Sequence, residues 1–494
     1  MKVDLTSKRL GIKSWVRTPF RKLDFEARKN RAWETAAWMV KYMAGLPFAL
    51  GMGLAYAWLG EGVRELGDFL VLGGAAGTPA GIVGFWRMMA AERNREKIIN
   101  QVMSCEVSAL REKINQLEEE TKKLSSKLWQ VQGTNTGKLQ VKATKLTDKI
   151  RTREEEIYKL KVQIAKIKLA EARKNGLEPK FIFLGLLGSG GMAHAAEVYD
   201  IDQQAIVAIK VISPHCVDER KIKIRFKREA EGQIRLTHPH IVAAYEFGSL
   251  RPDDIELYDQ ITGEPYPLKD KSQVLYFTME AVRSPNLDRV LLEERTLSWQ
   301  RALDIGIQLA DALDYMHTSE EGGVVHRDIK PENIFIDIDD QSKLADLGLI
   351  AELANGKHEA EMLHTQFVAA FGKAGGRLTE AMTVQGTTPY LAPEQCSANV
   401  KDERKVDIYQ LAAVLYELVT GVPPHGKYSG QPIDYMRSIM TTEISSKSFE
   451  EKSNPLFAAV ILKALSKDPD ERHATMGDFL KDLKNVQNLS LEPE

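Results

Sequence analysis

Apolar and polar positions change their rhythm twice along the chain. From Met43 to Gly60, and again from Phe69 to Trp86, no charge interrupts the sequence. At about 1.5 Å of rise per residue each run covers roughly 27 Å as a helix, close to a hydrocarbon core. The period then shortens. Met103, Val107, Leu110, Ile114, Leu117, Leu124, Leu128 and Val131 alternate spacings of four and three, with Thr121 as the polar exception. Leu139, Ala143, Leu146, Ile150, Ile157, Leu160, Ile164 and Ile167 resume the seam, which predicts a coiled coil. Gly133-Thr134-Asn135-Thr136-Gly137 between the arms predicts a turn. Two arms around a turn fit an antiparallel hairpin or a parallel dimer with a local break, and the pattern leaves both open.

After Asn175-Gly176-Leu177-Glu178-Pro179 the runs become short. Alternation predicts a strand over Ala205 to Ile212, and Val274 to Val282 reads as a second. Helical spacing of Phe226, Ala230 and Ile234 predicts a helix over Lys221 to Leu236. Leu303, Ile307, Ala310 and Leu313 do the same for Trp299 to His317, and another apolar helix begins at Asp407. Tyr258 to Gln273 is polar and turn-rich, and looks like an insertion between two strands. Asp346 to Glu394 is rich in Gly and Ala without a period, so a flexible loop is expected.

Charge adds direction to the first stretch. The chain has 494 residues and a net charge of -2, so several structural units are expected and bulk attraction to nucleic acid is not. Before Lys41, however, ten basic residues from Lys2 to Arg31 face only Asp4, Asp24, Glu26 and Glu34. The connector holds Glu61, Glu65 and Asp68 against Arg64, and Arg87, Arg93, Arg95 and Lys97 follow the second run. That bias places both ends of a membrane hairpin in the cytoplasm. Gly45, Ala49, Gly53 and Ala57, and Gly73, Gly77 and Gly81, form small-residue faces that let helices approach closely. A buried soluble hairpin, or an interfacial one, competes, since the runs are short, Gly-rich and contain Pro47 and Pro79, but the flanking charges favour the membrane. A cleaved signal peptide fits poorly, because the first apolar run starts late and a second follows. Cys105, Cys216 and Cys396 lie too far apart for a disulfide framework or zinc knuckle, which fits a reducing compartment.

The chemistry concentrates at Val325-His326-Arg327-Asp328-Ile329-Lys330-Pro331-Glu332-Asn333. Asp328, Lys330 and Asn333 put an acid, a base and an amide in one short loop, which phosphoryl transfer needs to orient a hydroxyl, balance a moving phosphate and hold Mg²⁺. Leu187-Gly188-Ser189-Gly190-Gly191-Met192-Ala193 allows backbone N–H groups to approach phosphate oxygens. Lys210 at the end of an apolar strand calls for an anionic partner. Asp346-Leu347-Gly348 pairs a metal-ligand type with a pivot.

In this order these motifs resemble the protein kinases, from about Lys180 to Asn488, and Lys330 two places after Asp328 is the Ser/Thr form. The resemblance implies an α+β two-lobed kinase fold with ATP and Mg²⁺ as cofactors. It implies that Asp328 positions the hydroxyl, Lys330 neutralises charge, Asn333 and Asp346 bind Mg²⁺, and Lys210 with Glu229 places the phosphates beneath Gly188 and Gly190. Glu280 and Val282 would meet adenine at the interlobe hinge behind Met279. Thr387 would contact Asp328 and Lys330, and Thr383 matches a common activating phosphorylation site with Arg327 available to its phosphate. Asp407 would brace the catalytic loop, and Arg472 would pair with Glu394. Ala193, Leu347, Gln410 and Ala412 depart from the family's usual residues, the last two touching packing more than chemistry. The Pro393-Glu394-Gln395 ending resembles bacterial members.

The organisation expected is a basic tail over 1–41, a transmembrane helical hairpin over 42–89, a coiled-coil stalk over 90–175 and a kinase domain over 176–494. The function expected is a membrane-tethered Ser/Thr protein kinase acting on a protein substrate, multi-pass with two spans and a cytoplasmic kinase domain. Homo-oligomers would form through the coiled coil and the small-residue helix faces, and no nucleic acid is involved. The rival is a pseudokinase scaffold, which loss of Lys210, Asp328 or Asp346 would favour; all three are present.

Overall fold

Two long helices lead into a sheet and then into a helical lobe in the computed structural model. It describes residues 79–129, 137–217, 219–251, 254–264, 274–319, 323–346, 351–352, 388–397, 400–427 and 432–491. The run Met43–Gly60 lies outside these residues, as does the start of the second run, whose remainder from Pro79 opens the first helix. Among the described residues no helix is long and apolar enough to cross a membrane.

Helix α1 (Pro79–Trp129) and helix α2 (Gly137–Lys174) run antiparallel, with Lys113 paired to Glu156 at 2.8 Å and Glu120 to Arg153 at 3.0 Å. Their seam residues Ile114, Leu117 and Leu128, and Ile150, Ile157, Leu160 and Ile164, are buried within one chain. The chain forms two compact units. Among the described residues, one joins 79–112 to Lys166–Glu178, and the other joins Lys113–Ala165 to those from Pro179 onward.

In the second unit, β1 (Phe181–Ser189), β2 (Ala193–Asp200), β3 (Ala205–Ile212), β4 (Ala244–Ser249) and β5 (Leu275–Glu280) form an antiparallel sheet of order β1-β2-β3-β5-β4. Val207, Ile209 and Val211 point to one face and join a core with Phe181 and Val198, leaving Lys210 on the other. That alternation is why a strand can carry a cation beside a dry core. Helix α3 (Arg220–Ile234) follows β3.

The polar insertion from Tyr258 lies between β4 and β5 and begins inside a helix, α4 (Ile255–Thr262), capped by Gly263 at φ 71. Leu257, Tyr258 and Ile261, spaced i, i+1 and i+4, share its inner face and are buried in the sheet's core, so a short apolar helical stripe outweighs the polar average. Residues 265–273 lie outside the described set.

The remainder packs around two buried helices, α6 (Trp299–Thr318) and α8 (Glu403–Thr420), the former preceded by the short α5 (Leu287–Glu294). Between them run β6 (Val324–Val325), β7 (Ile334–Ile336) and β8 (Ser342–Leu344), the last two paired as a hairpin, and the short α7 (Pro393–Cys396). The loop from His326 to Asn333 therefore sits between a strand and a hairpin whose inner residues Ile334, Ile336 and Leu344 are fully buried.

Candidate active site

The catalytic-type loop is fastened from below by side chains of α8. Asp407, fully buried, accepts the backbone N–H of His326 at 2.9 Å and of Arg327 at 2.7 Å, and His317 Nε2 at 2.7 Å. Burial pushes the Asp407 carboxyl up, but these contacts, led by His317, outweigh it and hold it below the ordinary value. One turn on, Gln410 accepts the Ile329 N–H and donates to the Arg327 carbonyl, both at 3.0 Å. Gln410 thus does more than fill space. The loop needs this bracing because Arg327 is held at φ 67, a region that disfavours a side chain.

Above this base the polar set converges. Lys330 Nζ lies 2.9 Å from Asp328 Oδ2, and Asn333 Nδ2 donates to the Asp328 carbonyl at 2.9 Å and to its carboxylate at 3.2 Å. The turn Pro331–Asn333 presents Asn333, and β7 starts directly after it. The Asn333 amide nitrogen is engaged by Asp328, which turns its carbonyl oxygen to other use.

A second set forms across the cleft. Lys210 Nζ sits 2.6 Å from Glu229 on α3 and 2.8 Å from Asp346. Burial alone would lower the Lys210 pKa, but the two carboxylates outweigh it and raise it. Lys210 in turn holds Asp346 below the usual carboxylate range. Glu229 goes the other way. Burial raises its pKa, because the single ammonium it faces is shared with Asp346, whose charge also opposes it. Asp346 adopts φ 58, and its side chain remains half exposed at 52%. His326 and Lys330 also lower Asp346, which places the two sets in one electrostatic field.

The glycine loop joins β1 to β2. Gly190 N–H donates to the Ala193 carbonyl at 2.9 Å, and a Cβ there would come within 3.3 Å of that oxygen; at Gly188 a Cβ would meet open space. In the hinge, the Glu280 carboxylate pairs with Lys343 at 2.7 Å and its N–H donates to the Ala243 carbonyl, so its side chain is already engaged. Val282 lies two residues further along the same segment. Thr383 and Thr387 lie outside the described residues. Arg327, the expected phosphate partner, pairs here with Glu403 at 2.9 Å. Arg472 forks onto Glu394 at 2.7 and 2.8 Å.

Sequence reasoning passed over Arg225. It lies one turn before Glu229 on α3 and within the field of Glu229, Asp328 and Asp346, with its pKa lowered by burial. The four-residue spacing to Glu229 was the available signal.

Comparison with known proteins agrees with this geometry. The protein kinase domain family matches residues 181–482. The serine/threonine-protein kinase PknB of Mycobacterium tuberculosis is 30% identical over 303 residues, which are 61% of this chain and 42% of that protein. A probable serine/threonine-protein kinase of Streptomyces coelicolor is 31% identical over 299 residues, 60% of this chain and 38% of that protein. The serine/threonine-protein kinase PknE of Mycobacterium bovis is 31% identical over 311 residues, 63% of this chain and 46% of that protein. The match thus spans less than half the length of these relatives. It takes in every catalytic-type residue described above, and the chain belongs to the protein kinase family.

Proposed function

We propose that this chain is a serine/threonine protein kinase that transfers the γ-phosphoryl group of ATP to a hydroxyl of a protein substrate. The observation that carries the reading is the pair of sets, Asp328–Lys330–Asn333 and Lys210–Glu229–Asp346, joined in one electrostatic field. Asp328 orients the attacking hydroxyl and takes its proton, and Lys330 offsets charge on the transferring group. Lys210, fixed by Glu229, places the phosphates.

Asp346 and Asn333 suit Mg²⁺, because a carboxylate and an amide oxygen are hard donors and this ion takes one or two carboxylates plus phosphates and water. When bound, Mg²⁺ neutralises phosphate charge and aligns the leaving group. A scaffold without catalysis is disfavoured, since Lys210, Asp328 and Asp346 are all in place. Thr383 is proposed as a self-modification site and Thr387 as a contact to the catalytic loop, on the motif Gly386-Thr387-Thr388-Pro389-Tyr390.

The test is phosphate incorporation from ATP by the full chain beside Asp328→Asn, with modified residues mapped by mass spectrometry. Incorporation should fall on the order of 10³-fold in the variant, with phosphate on Thr383 in the parent. Equal incorporation by both proteins defeats the assignment of Asp328.

The uncharged runs Met43–Gly60 and Phe69–Trp86 with their basic flanks support a membrane tether that leaves the kinase domain in the cytoplasm. Resistance of the expressed protein to alkaline carbonate extraction is expected, and release into the soluble fraction overturns the tether. Self-association through the small-residue faces of these runs belongs to the same proposal.

A further inference from the structure

The part of the helical hairpin that belongs to the catalytic unit, Lys113–Ala165, is fastened to both lobes and to the hinge between them. At the upper end Lys161 on α2 donates to Glu197 on β2 at 2.7 Å. Glu197 is only 5% exposed, and its other oxygen lies 3.7 Å from Arg283, the residue directly after Val282 in the hinge. The Arg283 guanidinium in turn stacks 4.8 Å over the ring of Tyr158, one turn before Lys161 on α2. The ring of contacts therefore starts and ends on α2 and passes through a strand of one lobe and the hinge. At the lower end Arg151 pairs with Asp339 in the β7–β8 turn at 3.1 Å, Ser126 donates to Glu293 at the end of α5 at 2.7 Å, and Trp129 is buried in the helical lobe's core.

A buried carboxylate on a strand is costly unless cations meet it. Glu197 meets two, one from the hairpin and one from the hinge. Removing the nearer one leaves the anion with a partner at 3.7 Å, and the strain falls on the hinge segment that precedes Arg283. We infer that the α1–α2 hairpin is an internal splint that sets the angle between the lobes, with Lys161 acting through Glu197 and Arg283 as a positioning residue for the nucleotide. The splint is docked while Lys210 is joined to Glu229 and Asp346, so docking supports the competent arrangement.

The inference rests on the kinase reading for its catalytic readout, and a binding readout keeps the two apart. In the full chain, Lys161→Ala should raise the KM for ATP about 3- to 10-fold, as for loss of one charge-assisted hydrogen bond, with kcat changed less than about 2-fold. The Kd of a non-hydrolysable ATP analogue should rise by the same factor, and Lys161→Arg should restore both. Tyr158→Ala, which spares the ion pair, should act in the same direction by about 2-fold. A variant that was merely unstable would lower kcat through its active fraction and leave KM alone. Unchanged KM and analogue Kd in Lys161→Ala overturn the splint. An inactive parent whose analogue Kd still shifts in the variant overturns the kinase reading and keeps the splint.

Discussion

The two halves of the candidate active site are held by opposite means. The Asp328 loop rests on α8 through Asp407 and Gln410, both fully buried, whose contacts to the loop join a side chain to the loop's own backbone, beside the Arg327–Glu403 ion pair. The Lys210 set joins three charged side chains from β3, α3 and the segment just after β8, and one of them is half exposed. A backbone held by buried acceptors cannot move without exposing unsatisfied groups, whereas an ion-pair set can open when α3 or one lobe shifts. The base is built into the fold, and the phosphate side is left adjustable. The splint acts on the adjustable side, since its upper contacts reach β2 and the hinge but not α8.

The largest effect that separates the halves is expected at Glu229. Glu229→Gln should lower the phosphoryl-transfer rate roughly 10²-fold, the scale of removing one preorganised electrostatic interaction. Stability should not fall with it. Burial raises the Glu229 pKa, so its ionised form opposes folding at pH values above the ordinary carboxylate range, and that opposition grows as pH rises toward the folded-state pKa. Glutamine removes this pH-dependent penalty. Thermal midpoints should match or exceed the parent's at neutral pH, and the gap should close as the pH drops below the unfolded carboxylate pKa. A large drop in midpoint at pH 7 would show that the set is structural and erase the contrast.

The same contrast explains what could be read from the sequence. Asp328, Lys330, Asn333, Lys210 and Asp346 announce themselves because short motifs fix charged and polar residue types at fixed spacings. Strand β3 and helix α6 were legible from period alone, the strand to its end residues at Ala205 and Ile212. Helix α4 was not, because Asp254, Glu256 and Asp259 mask the Leu257, Tyr258 and Ile261 stripe in any average of polarity. The Glu197–Lys161 contact joins positions 36 residues apart, and no local pattern marks a glutamate on this strand as the buried partner of a helix. Gln410 failed for a related reason. Its residue type suggests packing or solvent, and only the fold reveals that a loop backbone lies within its reach.

Gln410 therefore gives the complementary and smaller test. Its amide satisfies the Ile329 N–H and the Arg327 carbonyl at once, at the two residues flanking Asp328. Gln410→Ala removes both partners and leaves a void in a fully buried site, where one orphaned backbone group is worth about 1–3 kcal/mol. The loss should appear as a lower chemical-denaturation midpoint with unchanged slope, because the denatured state is untouched. The rate should fall less than in Glu229→Gln, since Asp407 still holds His326 and Arg327. Glu229→Gln and Gln410→Ala should thus exchange their effects, one losing rate without stability and the other stability with little rate. A Gln410→Ala protein as stable as its parent but as slow as Glu229→Gln would mean that the loop is set by the incoming nucleotide and not by α8.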